Sequence, residues 1–254
     1  MTSVATAQQY ASRLYFSAGG WLLPNYVARQ AADIFFTPRR YTPPEFEQRL
    51  AATSTDLAHS EPSLQGIKLY SWGRTTDPAV ILVHGWEGRG TQLGYFVEPL
   101  VKSNRRVIAI DMPNHGKSVD GKANAAVFGQ TLKKVAEVVA SGGNKVEGVI
   151  GHSMGAGATL GAIHNGLLDV GIRKVVLIGG PATYHEVIER FGGLIGLANA
   201  AMPHLFEEVQ ARVGLAISTD PLTHSLGGAP LVDQVQHSRF LLIHDRHDKE
   251  DCIN

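Results

Sequence analysis

The sequence predicts an α/β fold on a mostly parallel sheet, and three observations carry that prediction. Short apolar runs rich in β-branched residues recur along the chain, at Ala79–Val83, Val107–Ile110, Val146–Ile150, Val175–Ile178 and Phe240–Ile243. Strands buried on both faces read this way, whereas a half-solvated strand alternates. Segments of helical periodicity, such as Phe128–Val139 and Ala156–Leu168, separate the runs, and that alternation is the pattern of a doubly wound sheet with helices on both faces. At 254 residues the chain has the length of one such domain, and 1–254 is read as a single domain.

Residues 1–60 read as an N-terminal helical extension. Apolar positions recur at helical spacing from Val27 to Phe36, and the pattern breaks at Thr37-Pro38-Arg39-Arg40 before a loop through Pro43 and Pro44. In the opening stretch polar residues and Pro24 interrupt the apolar ones, and no cationic start precedes a long apolar run. Neither a secretion signal nor a membrane span is expected, and Tyr15, Phe16, Trp21 and Leu22 are expected to pack on the domain body. Ile67–Trp72 alternates apolar with polar and stops at Gly73, which predicts a half-buried strand near a sheet edge. The interval from Gly180 to Ser238 is too long for a simple crossover. Its amphipathic patterns, Val187–Ile195 and Leu205–Val213, predict a small helical cap at about 181–237, inserted over the site.

Charge and cysteine content narrow the partners. Lys+Arg and Asp+Glu stand at 23 each, so no basic field is present to hold a nucleic-acid backbone. The single cysteine, Cys252, supplies neither an internal disulfide nor a zinc cluster, which fits a reducing, cytoplasmic setting. Oligomeric state leaves no mark in the sequence.

In a parallel sheet, functional groups gather beyond the carboxyl ends of the strands, and the motifs lie there. Gly151-His152-Ser153-Met154-Gly155 follows one strand and opens a small-residue helix. Such a turn is sharp enough to need glycine on either side of the serine, and it lifts the Ser153 hydroxyl clear of the sheet as a nucleophile. His84-Gly85-Trp86-Glu87-Gly88 ends the run Ala79–Val83. An acyl-transfer site needs backbone N–H donors aimed at a developing oxyanion, and the candidates are those of Trp86 and Met154. His84, at a strand tip, reads as a brace for the loop. Asp111-Met112-Pro113-Asn114-His115-Gly116-Lys117-Ser118 follows Val107–Ile110, and its Pro and Gly read as turn chemistry. For the acid that orients a histidine, Asp245, Asp248, Glu250 and Asp251 are available beyond the last run.

Three ordered motifs, His84-Gly85, Asp111 to Ser118 and Gly151 to Gly155, resemble those of the α/β-hydrolase superfamily, over roughly Ile67 to Asp248. The resemblance implies an α/β-hydrolase fold with a small cap, Asp111 and His115 as structural supports, and an acid at Asp248 with Asp245 as runner-up. Serine at the elbow sets the chain apart from the haloalkane and epoxide branches, which use Asp there. The resemblance also implies a histidine after a further strand and before a final helix. The chain ends at Asn254, so it reads as truncated before that strand, histidine and helix, with His247, His244 and His152 as possible substitutes. The expected function is serine-dependent hydrolysis of a small-molecule carboxylic ester or similar acyl bond through an acyl-enzyme, without cofactor. Activity is expected to be weak or absent in this chain, and the alternative is a non-catalytic binding or interaction protein of the same fold.

Overall fold

Side chains that are apolar on both sides of a strand can be hidden only where the strand is covered above and below, and the apolar runs do become strands. The computed structural model describes residues 2–57, 61–168, 171–181, 183–214 and 238–245. The strands are β1 (Lys68–Trp72), β2 (Ala79–Val83), β3 (Arg106–Asp111), β4 (Val146–His152), β5 (Lys174–Ile178) and β6 (Arg239–Ile243). They form one six-stranded sheet in the order β1-β3-β2-β4-β5-β6. β1 runs antiparallel to β3, and the remaining neighbours are parallel. Val83 lies opposite Ile110 on one side and Gly151 on the other. That register ends the motif-bearing strands at one level and brings His84, Asp111 and Ser153 to one edge.

Helices cover both faces. Tyr70, Trp72, Val80, Leu82, Val107, Ala109 and Ile150 pack with Leu93 and Val97, from a 3-10 segment (Gly90–Phe96) and the helix that follows it. On the opposite face lie α5 (Ala125–Ser141), capped by Asn124 Oδ1 accepting from Val127 N at 2.9 Å, and α6 (Met154–His164). The two helices pack on each other and on β2 and β4. Short helices missed in the sequence, α3 (Glu45–Ala52) and α4 (Val97–Lys102), span too few turns to show a period.

Two strand expectations change. β1 does sit at the edge of the sheet but is buried beyond Lys68, because α3 and the 3-10 segment cover the face that alternation left for solvent. Phe240–Ile243 was expected to be buried on both faces, yet Leu241, Leu242 and Ile243 are 55%, 66% and 45% exposed. β6 has a strand neighbour on one side among the described residues, so an apolar run alone misstates its burial.

By packing, the chain divides into two compact units: Met1–Thr37 with Thr183–Ser225, and Pro38–Ala182 with Leu226–Asn254. The first unit holds α1 (Thr2–Leu22), α2 (Pro24–Phe35), α7 (Tyr184–Ile195) and α8 (Met202–Val213). Helices read as a terminal extension and as an insertion therefore share one core, in which Phe16, Val27, Ala31, Ile188, Leu205 and Val209 are buried together. α7 is well bounded. Thr183 Oγ1 accepts from Glu186 N at 3.1 Å, and Gly196 closes the helix in the left-handed region at φ 73°. Ion pairs Arg29–Glu208 (2.9 Å) and Arg212–Asp33 (2.7 Å) tie α2 to α8 on the surface.

Leu205 is fully buried in this core, so Leu205→Ala is expected to cost about 2–5 kcal/mol. Hydrogen exchange should show the loss of protection in α2, α7 and α8, with β2, β3 and β4 keeping their protection.

Candidate active site

β4 leaves the sheet at His152, and α6 starts at Met154, which leaves a single residue to turn the chain. Ser153 does so at φ 51°, ψ −123°, a conformation costing a non-glycine residue about 1–3 kcal/mol. Hydrogen bonds hold it there. Its N–H donates to Ile178 O (2.8 Å), and its carbonyl accepts from Ala156 N (2.8 Å) and Gly157 N (3.1 Å).

The surroundings of the turn leave no room for side chains. A Cβ on Gly155 would lie 2.4 Å from the carbonyl oxygens of both Val83 and His84, and one on Gly151 would lie 2.7 Å from Gly155 O. On the other side, a Cβ on Gly85 would come within 2.9 Å of Ser153 Cβ and 3.3 Å of His152 Nδ1. The His-Gly loop is thus pressed directly against the serine. Trp86 follows Gly85 in a turn closed by Gly88 N donating to Gly85 O at 3.0 Å. Its ring stands edge-on to His115 at 5.0 Å. Met154 is the largely buried first residue of α6, so its N–H opens the helix beside the hydroxyl.

Buried polar groups hold these loops in place. His84 is fully buried; its Nε2 accepts from Met112 N at 3.0 Å and its Nδ1 donates to Gly85 O at 2.6 Å. Burial, aided by the neighbouring His115, drives its pKa down to about 3, so the ring is a neutral brace. Asp111 accepts from Gly90 N and Lys117 N at 2.7 Å each and from Tyr70 Oη at 3.2 Å. Burial pushes its carboxyl pKa up against these bonds and likewise pushes the Tyr70 phenol up. Gly116, at φ 52°, passes so close that a Cβ would meet the Asp111 carboxylate at 2.2 Å. His115 Nδ1 donates to Pro113 O at 2.9 Å, and burial lowers its pKa. Asp111 is therefore fully engaged in loop structure, and His115 is tied to it through Nδ1, its buried Nε2 having no partner among the described residues.

Sequence reasoning passed over one device here. Glu87 sits in the left-handed region at φ 57°, where a turn of this kind normally takes glycine. Its carboxylate accepts from Arg39 N (3.1 Å), Arg39 Nε (3.0 Å) and Tyr41 Oη (3.1 Å), and Arg39 holds its pKa below the usual range despite partial burial. The legible signal was the position itself, between Trp86 and the turn-closing Gly88.

Ser153, Met154 and the Trp86 loop thus meet at one edge of the sheet. Asp248 and His247 lie outside the described residues. Asp245 is exposed at the end of β6, its carbonyl accepting from His244 Nδ1 at 3.1 Å. β5 separates β6 from β4, which sets His244 roughly 10 Å of sheet away from Ser153. Among the described residues, no hydrogen bond to Ser153 Oγ is formed.

A family model described as the alpha/beta hydrolase family matches residues 80–247. The chain belongs to the alpha/beta hydrolase family. One solved structure supports the fold: an esterase of Pyrococcus furiosus is 18% identical with TM-score 0.53, covering 82% of this chain and 88% of that one. A monoacylglycerol lipase of Paleococcus ferrophilus is 14% identical with TM-score 0.44, covering 70% and 88%. No curated protein matches the chain.

Gly155→Ala places its methyl against two backbone carbonyls that cannot yield, so a loss of about 3 kcal/mol in denaturant unfolding is expected. His84 gives a pH signature. Unfolded, its pKa is about 6.5, and folded it is about 3, so its contribution is complete above about pH 6.5 and is lost as pH falls toward 3. Stability should decline by as much as about 1.4 kcal/mol per pH unit from this residue across that window. The His84→Gln variant should show a flatter slope in the same pH titration of unfolding.

Proposed function

We propose that the chain is a serine-dependent hydrolase of carboxylic esters or similar acyl bonds, acting through an acyl-enzyme at Ser153. The observation that carries this reading is the backbone of Ser153 at φ 51°, held between β4 and the N-terminus of α6 with the Gly85 loop against it. Strain of that kind persists only where surrounding structure enforces it, and it presents the hydroxyl at the strand tip.

In the reaction, Ser153 Oγ attacks the acyl carbon and forms a tetrahedral intermediate. The N–H groups of Met154 and Trp86 stabilise its oxyanion, backbone dipoles of this kind being worth about 3–4 kcal/mol of barrier each. The hydroxyl proton passes to an imidazole, for which His247 and His244 stand nearest Asp248 in sequence, and from there to the leaving alkoxide; water then cleaves the acyl-enzyme by the reverse order of proton transfers. Asp248 is assigned as the carboxylate that orients the imidazole. Its support is the place of Asp248 just beyond β6, in the chain order Ser then acid. A small acyl substrate fits a family whose chemistry is hydrolysis, and no cofactor is needed for these steps.

A fluorophosphonate probe tests the reading directly. Among the described residues Ser153 Oγ forms no hydrogen bond, so slow covalent labelling of the folded chain is expected, with Ser153→Ala unlabelled and Asp248→Asn labelled more slowly still. A chain with intact circular dichroism that takes no label would instead support a binding protein that keeps the fold without the chemistry.

A further inference from the structure

Helix α1 has two apolar faces, and its own unit covers one of them. On the covered side Phe16 is 3% exposed, and a Cβ on Gly20 would lie 2.8 Å from Ala198 Cβ. Tyr10, Leu14 and Trp21, four and then seven residues apart, share the outward side. They are 66%, 68% and 67% exposed. The apolar surface runs on past the break before α2 through Leu22, Leu23 and Tyr26, at 79%, 60% and 56%. The expectation that this stretch packs on the protein body therefore holds for Phe16 and is overturned for Trp21, Leu22 and Tyr15, the last 46% exposed. Large apolar side chains gathered like this differ from the scattered ones every surface carries, and they mark a place of contact.

Charge decides the kind of partner. Between residues 2 and 32 the charged side chains are Arg13 and Arg29, with no carboxylate among them. Arg29 is paired with Glu208. Arg13 donates to Leu194 O at 3.4 Å and forms no ion pair among the described residues. A second copy would bring this face, cationic and without acids, against its own kind. A phospholipid surface offers hydrocarbon to Leu14, Leu22 and Leu23 and phosphate to Arg13, and Tyr and Trp rings favour its boundary with water. No helix among the described residues is long and apolar enough to cross a membrane, so the contact lies in the interfacial plane.

We propose that the outward face of α1, continued through Leu22, Leu23 and Tyr26, docks on a phospholipid bilayer. The inference stands independently of the chemistry at Ser153.

The test is flotation of the full chain with phosphatidylcholine vesicles, with and without phosphatidylserine. The full chain should float with both, about fivefold more tightly where phosphatidylserine is present, and Arg13→Gln should reduce that preference. Replacing Leu14, Trp21 and Leu22 together by Gln touches exposed side chains, so circular dichroism should be unchanged while partitioning falls about a hundredfold. The emission of Trp21 should shift to the blue on adding vesicles, a shift absent in Trp21→Phe. A folded full chain that stays with the vesicle-free fraction overturns the proposal. So does a triple variant that floats equally well, or a full chain whose dimer the triple variant breaks without any vesicle binding, which would assign the face to a second copy.

Discussion

The turn between β4 and α6 has no slack, and the rest of the site follows from that. α6 starts one residue after β4 ends, and its first turn is laid on the carbonyl ends of β2, where the space at Gly155 is filled by Val83 O and His84 O. A helix can approach a strand tip this closely only with glycine at the contact. The single residue between strand and helix must then absorb the whole change of direction, and Ser153 does so at a positive φ. The cost is offset by packing behind it: a Cβ on Gly129 of α5 would come within 3.4 Å of Ala162 Cβ on α6, so small residues let the two helices lie close over β2 and β4. Strain at the serine and smallness in the helices are one feature seen at two places.

A second layer of constraint comes from burying polar groups beneath the loops. His84, Asp111 and His115 are at most 1% exposed, and a buried polar group must be paired or neutral. Each histidine is neutral and spends its Nδ1–H on a neighbouring carbonyl. Asp111 is supplied with backbone N–H donors from both the loop after β2 and the loop after β3. One carboxylate thus fastens together two loops about twenty residues apart in sequence, one of which carries Trp86. Ser118 extends the network, donating from Oγ to Asp111 O and accepting from Lys68 N at 2.8 Å, which ties the same loops to the edge strand β1.

What could be read from the sequence was whatever a local pattern encodes. β2 and β3 are apolar at almost every position and buried at every one; the elbow is a five-residue motif with its strand and helix attached; α7 and α8 fall on the amphipathic patterns at Val187–Ile195 and Leu205–Val213. What could not be read depends on partners remote in sequence. α1 lies inside the stretch read as a helical extension, but its extent was hidden because Ser17, Gly19 and Gly20 are weak helix formers, and its reason for being helical is a core shared with helices about 180 residues away. β6 carries the composition of a central strand but has a strand neighbour on one side only among the described residues. Burial of β1 was hidden because the helix that covers it is two turns long. The acid at Asp248 has sequence support and no described geometry, so it stands on resemblance and chain order.

Glu87 shows how a departure from local rules points to a longer-range cause. A left-handed turn position held by Glu rather than Gly gives up roughly 1 kcal/mol of backbone ease, and a side chain must compensate. Arg39 and Tyr41 do so from the segment before α3. The pairing matters electrostatically as well. In the proposed reaction an oxyanion develops beside the neighbouring Trp86 N–H, and an unpaired carboxylate on the next residue would oppose it through a site drier than bulk water. With Arg39 at 3.0 Å, the pair is neutral overall, and its field at a distance falls to that of a dipole. The same contact that holds the strained turn therefore removes the penalty of placing an acid there, leaving the backbone N–H groups as the dominant local field.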